Sequence, residues 1–206
     1  MAQPLNRSLN VPAPGVPSSQ LGEFWVPNPW AFPQHGKNLS SYERNRVFLN
    51  RGSLQFADIS YLSGADSDGD ARCAVAADLN GDGMLEVLVR QVGGGNLLVF
   101  ENRFPRQHYL DVSLRGNPSN RTGVGSRLIA TVNGRAQTRE LYPTNTYKSQ
   151  APCSVHFGLG GSDIVERLVI YWPSGTVQEL RNVPADQHVI VEESNSVLQT
   201  FTSRSN

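Results

Sequence analysis

Cysteine is scarce in this chain: there are two among 206 residues, Cys73 and Cys153, each in an apolar, strand-like context. Two cysteines neither demand an oxidising compartment nor exclude one; buried free thiols acting as small hydrophobes are expected, with a single bridge left open. Charge is also sparse, since 18 basic and 18 acidic residues cancel to a formal net charge of +0 and make up 17% of the chain. That balance excludes an extensively disordered polyelectrolyte and removes the electrostatic case for nucleic acid or an anionic membrane as partner. No run approaches the roughly 18 apolar residues of a membrane span, and residues 1–20 lack the apolar stretch of a secretory leader, so a soluble chain is expected, with no membrane insertion and no visible signal peptide. Catalytic signatures are missing too. There is no GxSxG elbow, no HExxH, and no close pair among His35, His108, His156 and His188, so nothing positive argues for an enzyme or for zinc.

What is abundant points to an all-β fold. Glycine (19) and proline (13) punctuate a chain that is 38% hydrophobic, as many turns between short strands require. Seven of the prolines fall in residues 1–35, so residues 1–41 read as an extended arm, whose Phe24, Trp25, Trp30 and Phe32 are expected to dock on the body rather than anchor a partner. From Ser194 the chain turns polar, and residues 195–206 read as a fraying tail. Sequons at Asn6, Asn38 and Asn120 matter only for a secreted eukaryotic chain.

The stretch DLNGDGMLE, residues 78–86, carries the most chemistry. Asp78, Asn80, Asp82 and Glu86 place side-chain oxygens at its first, third, fifth and ninth positions, and the Met84 carbonyl stands at the seventh. Hard cations such as Ca²⁺ take several oxygen ligands at once, and Gly83 allows the positive φ that curls such a loop. An EF-hand would need a Glu at the twelfth position and flanking helices; here that position is Val89, and the flanks CAVAA and LEVLV read as strands. A plain Asx/Gly turn is the bland alternative, but it needs fewer oxygens than these. Asp66, Asp68 and Asp70 also alternate, but without a downstream acid leading into a strand they read as a polar loop rather than a second cation site.

Strands flank the loop. A hairpin is expected from 42–50 and 56–60, followed by strands at 73–77, 85–89 and 97–102, and a four-stranded antiparallel, blade-like unit is expected within 42–104. Residues 105–194 continue as a β-sandwich or barrel: Leu110, Val112 and Leu114 alternate, Asn133-Gly134 signals a type I′ hairpin, and Val155, Phe157 and Leu159, then Leu168, Ile170 and Trp172, alternate again. Trp172 beside the Pro173-Ser174-Gly175 turn is expected in the core, with a sugar-stacking platform as the rival reading. The Gly-rich segment 119–127 precedes a strand and lacks a Lys-Ser/Thr, so it is a bent strand entry and not a phosphate cradle. His156 is expected to be packed, with its ring hydrogen-bonded.

The segments RNRVFLNRG, AVAADLNGDGMLEVLV and LLVFEN resemble an FG-GAP or VCBS-type repeat, the unit of calcium-bearing β-propeller blades. HYLDVSLRGNPSNRTGVGSRL, YKSQ, HFGLGG, YWPSGTVQEL and NVPADQHVIVEE resemble the ASPIC/UnbV domain, which follows such repeats in the cartilage acidic protein family. The resemblance implies that Asp78, Asn80, Asp82 and Glu86 are calcium-loop positions, and it implies an extracellular or cell-envelope location. Asn120, Arg121, Gln150 and His156 fall on motif positions to which no chemistry is assigned. One repeat cannot close a propeller, so its open edges are expected to be covered by the C-terminal domain, by the arm, or by self-association with another copy. The expectation is a non-enzymatic recognition or adhesion module with structural Ca²⁺ and an unidentified protein or glycan ligand. A carbohydrate-binding module and a metal-dependent hydrolase using the acidic loop are the alternatives.

Overall fold

The computed structural model describes residues 44–67, 69, 71–91, 96–143, 146, 147, 149–195 and 199–201, together with Gln20. The arm aromatics and the pair Asp68 and Asp70 lie outside the described residues. The chain divides into two units, Met1–Asp70 and Ala71–Asn206.

In the first unit β1 (Phe48–Asn50) and β2 (Phe56–Asp58) form the expected antiparallel hairpin, with Leu49 opposite Ala57. The strands are shorter than the apolar pattern suggested. Ser60, read as the end of a strand, instead opens a single helical turn, α1 (Ser60–Ser63). Its side chain is buried; Oγ accepts the Val47 amide at 2.8 Å and meets Asp58 Oδ1 at 2.5 Å, and this local alternative to the sheet ladder ends β2. Asp66 is held by the Arg44 guanidinium, whose Nε and Nη2 both reach Oδ2, at 3.1 and 2.9 Å.

The second unit begins with an antiparallel sheet in the order β3 (Ala71–Ala77), β4 (Glu86–Gln91), β5 (Leu98–Phe100). The single four-stranded unit expected from the sequence is therefore corrected: among the described residues its strands fall into a two-stranded and a three-stranded sheet. The helical turn at Ser60 ends β2 after three residues, and among the described residues β1 and β2 pair only with each other.

Residues 108–201 form two four-stranded sheets around one core. The first has the order β11 (Val177–Pro184), β10 (Ile164–Tyr171), β7 (Arg127–Val132), β8 (Arg135–Glu140). The second runs β13 (Gln199–Phe201), β12 (Gln187–Glu192), β6 (His108–Arg115), β9 (Val155–Gly160). Leu110, Val112, Phe157, Val189 and Val191 from one sheet meet Leu128, Ala130, Leu168 and Ile170 from the other, all fully buried, so of the two architectures expected this is the sandwich. Asn133 and Gly134 both take positive φ, 50° and 70°, and close the β7–β8 hairpin in the expected register, Val132 opposite Arg135.

Three features were not legible. β11 carries a buried polar residue, Gln178, at an inward position, which blurs its apolar alternation. Its Oε1 accepts the Trp172 indole N–H at 3.0 Å and its Nε2 donates to the Glu192 and Asn195 carbonyls, so the polar group is satisfied. β12 runs parallel to β6, not antiparallel, because the chain spends β10 and β11 in the opposite sheet before returning. The tail, read as fraying, supplies β13, which pairs antiparallel with β12 through His188 opposite Phe201.

Candidate metal centre and the cleft beside it

The loop between β3 and β4 is shaped by its own side chains. Asp78 accepts the Gly81 amide on Oδ1 (2.7 Å) and the Gly83 amide on Oδ2 (2.9 Å). Asn80 Oδ1 accepts the Asp82 amide at 3.0 Å, and Asp82 Oδ1 accepts the Met84 amide at 2.8 Å. Glu86, the first residue of β4, reaches back so that Oε2 accepts the Leu79 amide at 2.9 Å. Every oxygen-bearing side chain singled out from the sequence therefore holds a loop amide, the Asx-turn behaviour that lets such residues replace ladder partners. Gly81 and Gly83 take φ of 79° and 84°, the left-handed conformation expected at Gly83.

Glu86 is the unusual member, only 4% exposed, and its Oε1 is buried with no hydrogen-bond partner. A buried carboxylate oxygen without a donor is costly, and a cation is one group that would satisfy it. The donor set is all oxygen, which suits a hard cation. The side chains do not yet converge, however. Among the described residues no three His, Cys, Asp or Glu side chains lie close enough to hold a metal; the loop acids are turned onto backbone amides instead. Each carboxylate oxygen keeps a second lone pair for an ion.

The loop is anchored to the sandwich from outside. His156 on β9 places Nε2 at 2.9 Å from the Gly83 carbonyl, so that nitrogen carries the proton and donates. Tyr109 on β6 stacks on His156, centroids 5.7 Å apart and planes 5° from parallel, and packs under Gly83 so closely that a Cβ there would lie 2.0 Å from the ring. Burial first, then the Asp78 and Asp186 carboxylates, pushes the Tyr109 phenol above its ordinary value. Asn102, just beyond β5, donates from Nδ2 to the Leu85 carbonyl at 3.2 Å and steadies the loop's other end. The expectation of a hydrogen-bonded His156 is met; that its partner lies in the loop 78–86 was invisible, because 73 residues separate the two.

Beside the anchor, the outward face of β6, β9 and β12 bounds a cleft of about 410 Å³ together with β3 and residues 151–154. His188 Nε2 lies 2.7 Å from Ser113 Oγ, and Asp111 Oδ2 lies 3.6 Å from the same nitrogen. A serine nucleophile relay needs its acid on the opposite ring nitrogen, so this trio is not a catalytic triad. Trp172 is 4% exposed and gives its indole N–H to Gln178; it fills the core and offers no stacking platform. Cys73 and Cys153 are free thiols, both half-buried. In the segment 119–127, Asn120 receives the Val124 amide at 2.8 Å and returns Nδ2 to the Val124 carbonyl, while a Cβ on Gly123 would sit 2.6 Å from Leu114, so this turn seals the sandwich end.

Two family models match the chain: FG-GAP-like repeat over residues 38–89, and ASPIC and UnbV over residues 116–198. The chain carries an ASPIC/UnbV domain behind an FG-GAP-like repeat. No curated protein matches the chain. The repeat match contains the whole loop 78–86, and the ASPIC/UnbV match contains both His156 and the cleft residue His188. β6, which supplies Tyr109, Asp111 and Ser113, precedes the ASPIC/UnbV match but is an inner strand of the same sandwich.

Proposed function

We propose that this ASPIC/UnbV protein is a non-enzymatic recognition or adhesion module, in which Ca²⁺ bound by the loop 78–86 rigidifies the β3–β4 turn and its seat on the sandwich. The observation that carries the reading is the buried, donorless Oε1 of Glu86 at the end of a loop whose other oxygen side chains are already ordered by its amides. Asp78, Asn80, Asp82, Glu86 and the Met84 carbonyl would hold the ion, which supplies charge neutralisation and no reaction chemistry. Binding requires those side chains to turn from the amides toward one point. The attraction of the cation for the carboxylates drives the turn and offsets the repulsion they feel when drawn together. Extracellular modules bind Ca²⁺ at roughly 0.1–1 mM, and an extracellular or cell-envelope setting accords with the FG-GAP-like repeat.

Thermal melts with 2 mM Ca²⁺ and with chelator test this, on the wild type and on Asp78→Ala. At about ten times a 0.2 mM dissociation constant, mass action adds roughly 1.4 kcal/mol, a rise of a few degrees in Tm. The wild type is expected to show that rise and Asp78→Ala to lose it; identical wild-type melts in both buffers would end the calcium reading.

A further inference from the structure

The cleft on the outward face of β6, β9 and β12 has no assigned role. Its volume, about 410 Å³, falls in the range that small ligands occupy. Two carboxylates, Asp78 and Asp111, and two histidines, His156 and His188, line it, and among the described residues no lysine or arginine does. Asp111 is the telling group. Its Oδ1 is buried and accepts no hydrogen bond, while Oδ2 stands 3.6 Å from His188 Nε2, beyond hydrogen-bond range. Around it lie the Tyr109 ring and small apolar walls from Ala77, Leu85 and Pro152.

We propose that this cleft binds an organic cation, a protonated primary amine or a guanidinium on a short aliphatic stem, with Asp111 receiving the charge. A half-buried carboxylate whose Oδ1 has no donor, and whose Oδ2 has His188 at 3.6 Å as an ion pair only when that ring is protonated, gains most from a partner that brings both N–H groups and a positive charge, since charge-assisted hydrogen bonds are the strong ones. The apolar walls suit the stem. A neutral polyol also offers donors to Asp111, but it leaves the site's negative charge uncompensated. The assignment gives a ligand class to the recognition reading, on which it rests; Asp78 and Leu85 of the loop 78–86 line the cleft, but Asp111 receives the charge whether or not the loop holds an ion.

The test is a ¹H–¹⁵N NMR titration of the full chain in cacodylate buffer, in Ca²⁺ and in chelator, with n-butylammonium, n-butylguanidinium, n-butanol and butyrate. Ac-Gly-Lys-Gly-NH₂ and its norleucine counterpart separate a free amine from a protein-borne lysine, and binding of either cationic form supports the site. Saturable shifts at Tyr109, Asp111, Ser113 and His188 with the cations, and none with butyrate, are expected. Asp111→Asn should weaken binding at least about tenfold with the melt unchanged. Ala76→Arg, which places a tethered cation at the exposed rim, should block it even if the Asn variant proves unstable. Equal shifts with butanol, or undiminished binding in both variants, would overturn the proposal. Absence of cation binding alongside a Ca²⁺-dependent melt would remove the cleft alone and leave the calcium loop standing.

Discussion

Glu193 is a charged side chain only 5% exposed, yet it is fully provided for: Oε2 accepts the Asn117 and Ser119 amides at 2.6 and 2.7 Å, and Oε1 accepts the Ser119 and Ser174 hydroxyls at 2.9 and 2.5 Å. Burial pushes its carboxyl up, but the hydrogen bonds from Ser174, Ser119 and Asn117 outweigh burial and hold it below the ordinary glutamate value. A depressed folded-state pKa contributes stability that is complete above the unfolded value, about 4.3, and is lost as pH falls through the folded value. Urea unfolding should therefore show Glu193→Gln weaker than wild type by about 2–4 kcal/mol at pH 7, with the gap narrowing below pH 4 as the wild-type carboxylate protonates. At Gly83 the argument is steric. Its φ of 84° and the Tyr109 ring 2.0 Å from an added Cβ predict that Gly83→Ala costs about 2–4 kcal/mol, read from the same denaturant curve, whereas Ala at Gly134, with open space around it, costs only the strain of its positive φ.

Among elements, the contact between the β3–β4 loop and β9 is the informative one. On β9 it is the His156 hydrogen bond, while Tyr109 of the neighbouring β6 packs its ring beneath Gly83, so the β9 bond can be cut without disturbing the sandwich core. His156→Ala should raise the amide exchange rate of the loop, Gly81 to Met84 above all, by about tenfold while leaving β7 and β10 protected; His156→Gln, which keeps a donor, should recover part of the protection. A uniform rise across all strands would instead mark His156 as a folding residue. The loop itself was readable because its turn is local: each Asx side chain bonds an amide two, three or five positions on. Its anchor was not, because a strand far along the chain supplies it. For the same reason the β1–β2 and β7–β8 hairpins were legible, while the parallel pairing of β12 with β6 was not.

For the whole molecule, 18 basic and 18 acidic residues leave no net field to draw it to polyanions. The full chain is expected to pass a heparin column, and to ignore phosphatidylserine vesicles, at about 150 mM salt, where surface charges are screened beyond roughly 8 Å. Retention that elutes with a salt gradient would show a basic patch formed by folding. No described helix is long and apolar enough to cross a membrane.

Sequence alone determined the β class, the sandwich strands with clean alternation, the Asn133-Gly134 turn and the Asx-rich turn at 78–86, because each depends on neighbours within a few residues. Tertiary structure decided the rest: the split of the expected blade into two sheets, β13 in the tail, the seat of Gly83 on Tyr109 and His156, and the grouping of Asp111, Ser113 and His188 around one cleft. These join residues as far apart as Asp111 and His188, and such separations are closed by burial of the shared core, which no local pattern records.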